Sequence, residues 1–278
     1  GAVFLFCVSF SSVSLAFATD VNNDIDSTSS AISGINELSG LFPDAHLQRC
    51  VEEIALINGW SRAEQFTGRV DCSKRQINDL TGIDTLPNIT SLDISINYIR
   101  DISPLATLQK LEVLKLSFNT VSDLRPLASL QQLKILNVAN NMVTELASLA
   151  SLYQLKNLNL QNNLISDIRP LQDLTALVNL NLAVNAVSDI NALARLINLE
   201  YLSLLENDVA DVSALESLSK LQGLNLRGNK IKHFDSVANL TNLSNLNLSA
   251  NHIETPTSAG ILALASLPNL QHVNVSEN

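Results

Sequence analysis

Between residues 92 and 119 the chain reads "LDISINYIRDISPLATLQKLEVLKLSFN", and its apolar positions follow two regimes. Leu92 and Ile94, then Leu114 and Leu116, alternate with polar residues, the period-2 signature of a short strand with one inward face. Between them, Ile99, Ile102, Leu105, Leu108 and Leu111 supply apolar side chains for the other walls of the same interior. The pattern predicts a short strand, a sharp turn and one or more short helical turns, repeated.

The repetition is regular. From Asn97, steps of 22 residues land on Asn119, Asn141, Asn163, Asn185, Asn207, Asn229 and Asn251. Each Asn closes a phrase such as "LKLSFN", "LNLQNN" or "LNLRGN", with a degenerate first copy at "VDCSKR" and a last one at "VNVSEN". A single 22-residue unit cannot bury its apolar face alone, so the units must stack into a parallel sheet around one continuous core. The Asn then has a physical role. After each strand the backbone turns inside the stack, and buried N–H and C=O groups there need partners. A side-chain amide offers both donors and an acceptor, which neither Asp nor Leu does, so a column of Asn can serve adjacent coils at once.

This phrase and spacing resemble the leucine-rich repeat family from Val70 onward. The downstream halves, such as "YIRDISPLATLQKL", are similar to the 22-residue class of bacterial internalins and of the phosphatase-regulator type. The resemblance implies an α/β fold: a leucine-rich repeat solenoid with a curved parallel sheet inside and 3-10 or short helical turns outside. "LFPDAHL" is similar to the start of the helical cap of internalin-type domains. Asp44 as its N-cap, Leu47, Cys50, Val51, Ile54 and Ala55 at helical spacing and Gly59 at the end predict a cap helix. Ser61 to Glu64 reads as a capping box for a further turn.

The domain reading is a signal peptide at 1–18, truncated at its start, a polar linker at 19–40, a helical cap at 41–69 and repeats at 70–278. The first stretch is uncharged and ends in the small-x-small phrase Ala16-Phe17-Ala18, as a signal-peptidase site requires. An uncleaved anchor is disfavoured by its serines, and Cys7 follows Phe6 rather than the small residue of a lipoprotein site. Around 258–267 the unit is five residues longer and reads as a fuller outer-wall helix. The last repeat has no polar cap, so the natural protein is expected to continue beyond residue 278. With Cys7 removed, Cys50 and Cys72 remain in an exported chain. Either they form a disulfide tying cap to sheet, or they are two buried thiols.

A second column, Asp79, Asp101, Asp123, Glu145, Asp167, Asp189 and Asp211, then His233 and Thr255, invites a calcium reading. Capping of the short helical turns that follow is the simpler account, with Pro104, Pro126 and Pro170 suited to such a first turn. The four histidines, His46, His233, His252 and His272, do not converge, so no metal is assigned. No nucleophile-elbow, zincin, Walker or dinucleotide phrase appears, so the reading is not an enzyme and no cofactor is called for. N-x-S/T triplets begin at Asn88, Asn239, Asn242, Asn247 and Asn274, but an Asn-rich repeat generates these by itself. A net charge of −10 argues against a phosphate-binding surface and hence disfavours nucleic acid as a partner.

That leaves the concave face. The outward position between the two strand leucines reads Asp93, Lys115, Asn137, Asn159, Asn181, Ser203, Asn225, Asn247 and Asn274, an amide-rich stripe free of core duty and hence free to vary. Aromatic and Arg side chains are the usual interface anchors, and Tyr201, Leu205, Glu206 and Arg227 fall within two adjacent repeats. Lys115 with Phe118 is a second cluster, and His272 lies beyond. The resulting expectation is an exported, monomeric module, without membrane insertion of the mature chain, that recognises a protein on its concave face. The rivals are a rigid spacer or recognition arm for a further domain, possibly enzymatic, and an intracellular phosphatase regulator, which clashes with the signal-like start.

Overall fold

A computed structural model describes residues 37–253, 262 and 264–278. The signal and most of the linker, residues 1–36, lie outside the described residues, as do Thr255 and much of the expected outer-wall helix at 258–267. Helix α1 spans Ala45–Asn58. Ten strands follow: β1 Gly68–Asp71, β2 Ile89–Asp93, β3 Val113–Lys115, β4 Ile135–Asn137, β5 Asn157–Asn159, β6 Asn179–Asn181, β7 Tyr201–Ser203, β8 Gly223–Asn225, β9 Asn245–Asn247 and β10 His272–Asn274. They form one parallel sheet in sequence order. Leu92 pairs with Leu114, Leu114 with Leu136, and so on through Leu224 and Leu246. The 22-residue step is therefore the register of the sheet.

Each coil closes over the core with a 3-10 turn, such as Ser103–Thr107 or Arg125–Ser129, whose central leucine is buried. The leucines and isoleucines of all coils form one continuous buried cluster. Burying each such side chain contributes roughly 1.5–3 kcal/mol, which is how a chain with few aromatic residues holds together.

The asparagine column behaves as the sequence requires. Asn163 Nδ2 donates to Leu160 O in its own coil at 3.0 Å and to Val138 O in the preceding coil at 3.0 Å, while its Oδ1 accepts from Val143 N at 2.9 Å. The pattern recurs from Asn97 to Asn278. The residue before the ladder position, which is Arg75 in the first coil and Asn in the others, lies in the left-handed region in every coil: Lys74, Ile96, Phe118, Asn140, Asn162, Val184, Glu206, Gly228, Ala250 and Glu277. Gly and Asn carry this at modest cost. Ile, Val and Phe are outliers there.

The cap helix α1 buries Leu47, Cys50, Val51 and Ala55 and ends at Gly59 with φ 68°. Gln65, not Glu64, closes the box at the following turn, its Oε1 accepting from Ser61 N at 2.7 Å and Arg62 N at 2.9 Å. Gln reaches back because it sits three residues after Arg62, one position later than the expected frame. A Cys50–Cys72 disulfide ties α1 to the residue after β1.

Candidate partner-binding face

The inward positions of β1 to β9 are buried, Val273 of β10 being exposed, and the outward positions form the concave surface, so every candidate side chain of the stripe is placed by strand alternation. The stripe itself is not idle. Asp71, Asp93, Asn137, Asn159, Asn181, Asn225, Asn247 and Asn274 each accept a hydrogen bond from the backbone N–H two residues on. These are Asx turns that steer the chain out of each strand into the ladder bend. The expectation that these positions are free of structural duty is therefore corrected: a short side-chain oxygen is needed there, which explains the run of Asn and Asp.

Two coils depart from it. Lys115 has no acceptor and instead reaches Asp93 Oδ2 at 3.3 Å. Ser203 makes no such bond among the described residues. Those same coils carry Phe118 and Glu206 in the left-handed position before the ladder Asn. Phe118 is 56% exposed, so the conformational cost of its backbone is not offset by burial within the chain.

The Tyr201 cluster is only partly assembled. The Tyr201 hydroxyl donates to Gln222 Oε1 at 3.1 Å. Its ring leans over Gly223, where a Cβ would lie 2.9 Å from Tyr201 Cδ1. The Glu206 side chain packs against Gly228 in the next coil. Leu205 is half-buried beside it. Arg227, however, points away along the stack to Glu277, with Nη2 3.2 Å from Oε2. His272 is exposed on β10, in register with Asn245. Sequence spacing alone gives no sign of the Glu277 partner two coils away.

Exposed apolar side chains also flank the ladder at the sheet's edge in the first coils, among them Ile96 and Tyr98, 46% and 66% exposed. Ile96 occupies the same turn position as Phe118 and Glu206, and Tyr98 follows the ladder Asn97.

The acid column supports capping, shifted by one position. Asp101 accepts from Ser103 N at 2.8 Å, Asp189 from Asn191 N at 2.9 Å and Asp211 from Ser213 N at 2.8 Å. Each acid stands one residue ahead of the formal N-cap, because the 3-10 turn starts two residues on. Hydrogen bonds from the Arg169 side chain and backbone hold the Asp167 carboxyl down at about 2, and Arg125 likewise lowers Asp123. Among the described residues no three His, Cys, Asp or Glu side chains group as metal ligands. All five sequon asparagines are already engaged in hydrogen bonds.

The chain matches the family model of the leucine-rich repeat domain of the endo-beta-N-acetylglucosaminidase EndoS over residues 42–163. It also matches models for leucine-rich repeats over 153–195 and 208–253. Among solved structures, an internalin, InlF, of Listeria monocytogenes is 28% identical, with a TM-score of 0.74 over 87% of this chain and 78% of that one.

The chain is a leucine-rich repeat protein.

Internalin C2 of the same species matches this leucine-rich repeat protein at 29% identity and a TM-score of 0.62, over 86% of this chain and 96% of the other. A leucine-rich repeat protein of Leptospira interrogans, 24% identical with a TM-score of 0.58, shares the fold. No curated protein matches the sequence. Internalin-like likeness and repeat architecture together mark a binding module. Among the described residues no helix is long and apolar enough to cross a membrane.

Proposed function

We propose that this leucine-rich repeat protein is exported and recognises a protein partner on its concave sheet face, acting as a binding module rather than an enzyme. The observation that carries the reading is the pair of coils that abandon the Asx acceptor. Eight strands keep Asn or Asp at that position for local stability. At Lys115 and Ser203 it is given up beside Phe118 and Tyr201, and such departures from local consistency belong to function. Lys115 with Phe118, and Tyr201 with Leu205 and Glu206, are the two proposed anchors; Arg227 and His272 extend the second toward β10. Export is supported by the signal-like 1–18 stretch and by the disulfide, which persists in oxidising compartments. The mature module is read as a monomer.

The test is affinity capture of surface or secreted partners with the intact chain, followed by binding measurements on variants. Combined Tyr201→Ala and Arg227→Ala should weaken binding by about 2 kcal/mol or more while leaving the thermal midpoint in place. Unchanged affinity rejects this anchor. Failure of the chain to capture any partner would favour the spacer role instead.

A further inference from the structure

We propose that the concave face of β5, β6 and β7 binds a neutral oligosaccharide, with the Tyr201 ring as its stacking platform and the amides of Asn157, Asn159, Gln161 and Asn179 meeting its hydroxyl groups. The proposal rests on the concave face being the binding surface, but not on the partner being a protein.

Charge is the first observation. The outward positions 157, 159, 161, 179, 181, 183, 201, 203 and 205 carry no charged side chain. A charged ligand would give up hydration there with no opposite charge to replace it. An uncharged polar ligand loses only hydrogen bonds to water, and amides return those.

The ring is the second. Tyr201 is held at its hydroxyl by Gln222 and leans over the bare Cα of Gly223. Any larger residue at 223 would meet the ring, since a Cβ there would already lie 2.9 Å from Cδ1. The ring is thus fixed along the sheet and half-exposed. Such a face suits the C–H side of a pyranose, whose polarised hydrogens meet the negative π surface.

Unused hydrogen-bonding capacity is the third. Asn179 Nδ2 donates to Asn157 Oδ1, and Asn181 Nδ2 donates to Gln161 Oε1 at 3.0 Å. These bonds orient the amides. Asn157 Nδ2, Asn159 Nδ2 and Gln161 Nε2 find no acceptor among the described residues, and Asn179 Oδ1 finds no donor. The strand register sets Asn157, Asn179 and Tyr201 side by side, at the roughly 4.8 Å strand spacing. A sugar stacked on Tyr201 therefore brings its hydroxyls onto the neighbouring amides. The free groups comprise more donors than acceptors. That suits hydroxyl, ring and glycosidic oxygens better than an extended peptide, whose backbone offers donors and acceptors in equal number.

The experiment is a glycan array of neutral oligosaccharides and their sialylated counterparts, probed with the intact chain, followed by calorimetry with the strongest neutral ligand. A neutral ligand should bind at least about tenfold tighter than its sialylated form, and Tyr201→Ala should cost about tenfold or more, the loss of one aromatic anchor. Tyr201→Phe should retain binding, whereas Gly223→Leu, which displaces the ring, should lose it with the thermal midpoint held. No neutral ligand on the array, or binding indifferent to Tyr201→Ala, overturns the proposal. Capture of a protein that depends on Tyr201 yet survives enzymatic removal of its glycans also overturns it, and leaves the protein-binding reading standing.

Discussion

Asp44 and Asn78 are joined across the seam between cap and repeats. One oxygen of the Asp44 carboxylate caps α1, accepting from His46 N at 2.8 Å and Leu47 N at 3.0 Å; the other accepts from Asn78 N at 2.8 Å and Asp79 N at 3.2 Å. Burial raises the carboxyl's pKa, but the four backbone donors outweigh it and hold the group below the usual carboxylate range. Its folded pKa is thus depressed, so its stabilisation is full above the unfolded value and fades as pH falls through the folded one. Urea unfolding of the chain and of Asp44→Asn should show a clear gap at pH 7 that closes below about pH 4. An equal gap at pH 7 and pH 2.5 would contradict this.

Asn163→Leu should destabilise the fold by about 3 kcal/mol or more, because buried backbone groups of two coils lose their partners at about 1–3 kcal/mol each. Asn163→Asp should be nearly as costly, since a carboxylate accepts from Val143 N but has no proton for the carbonyls of Val138 and Leu160. Chemical denaturation of the three proteins measures this. Near-native stability of either variant would exclude the two-coil role of the amide.

Lys115→Asn and Phe118→Asn should each raise stability by about 1 kcal/mol, the first by restoring the Asx acceptor and the second by placing a tolerant residue at φ 57°. Both should weaken partner binding. Val184→Asn is the internal comparison: it relieves a β-branched residue at φ 57° outside either proposed anchor, so it should stabilise without touching affinity.

Reducing Cys50–Cys72 should lower the unfolding free energy by about 2–4 kcal/mol, as expected for a 22-residue separation. Scanning calorimetry with and without reductant reads the shift. Mass spectrometry should find neither thiol alkylated before reduction.

The stacking, the register and the ladder were legible in the sequence because they follow from one-dimensional spacing: Leu92 to Leu114 to Leu136 is both a repeat and a set of strand pairs. The left-handed residue before each Asn was less visible. Gly228 is its only glycine, and Ile96 or Val184 gives no hint of positive φ. The concave stripe misled for a related reason: Asn beside Leu looks like idle surface until the N–H two residues on is found bonded to it. At the candidate face, spacing picked out Lys115, Phe118 and Tyr201 but not the reach of Arg227 to Glu277, which spans two coils and depends on rotamers.

Every ladder amide completes the bend of the coil before it: Asn119 Oδ1 takes the Ile99 N–H, and its Nδ2 meets the Ile94 carbonyl. The bonding therefore has a direction along the chain. Each coil's bend is saturated only when the next 22 residues have docked on it, so the solenoid is completed one step behind its growing end. Mechanical unwinding should begin for the same reason at the late coils, each departure stripping the amide that its predecessor needs.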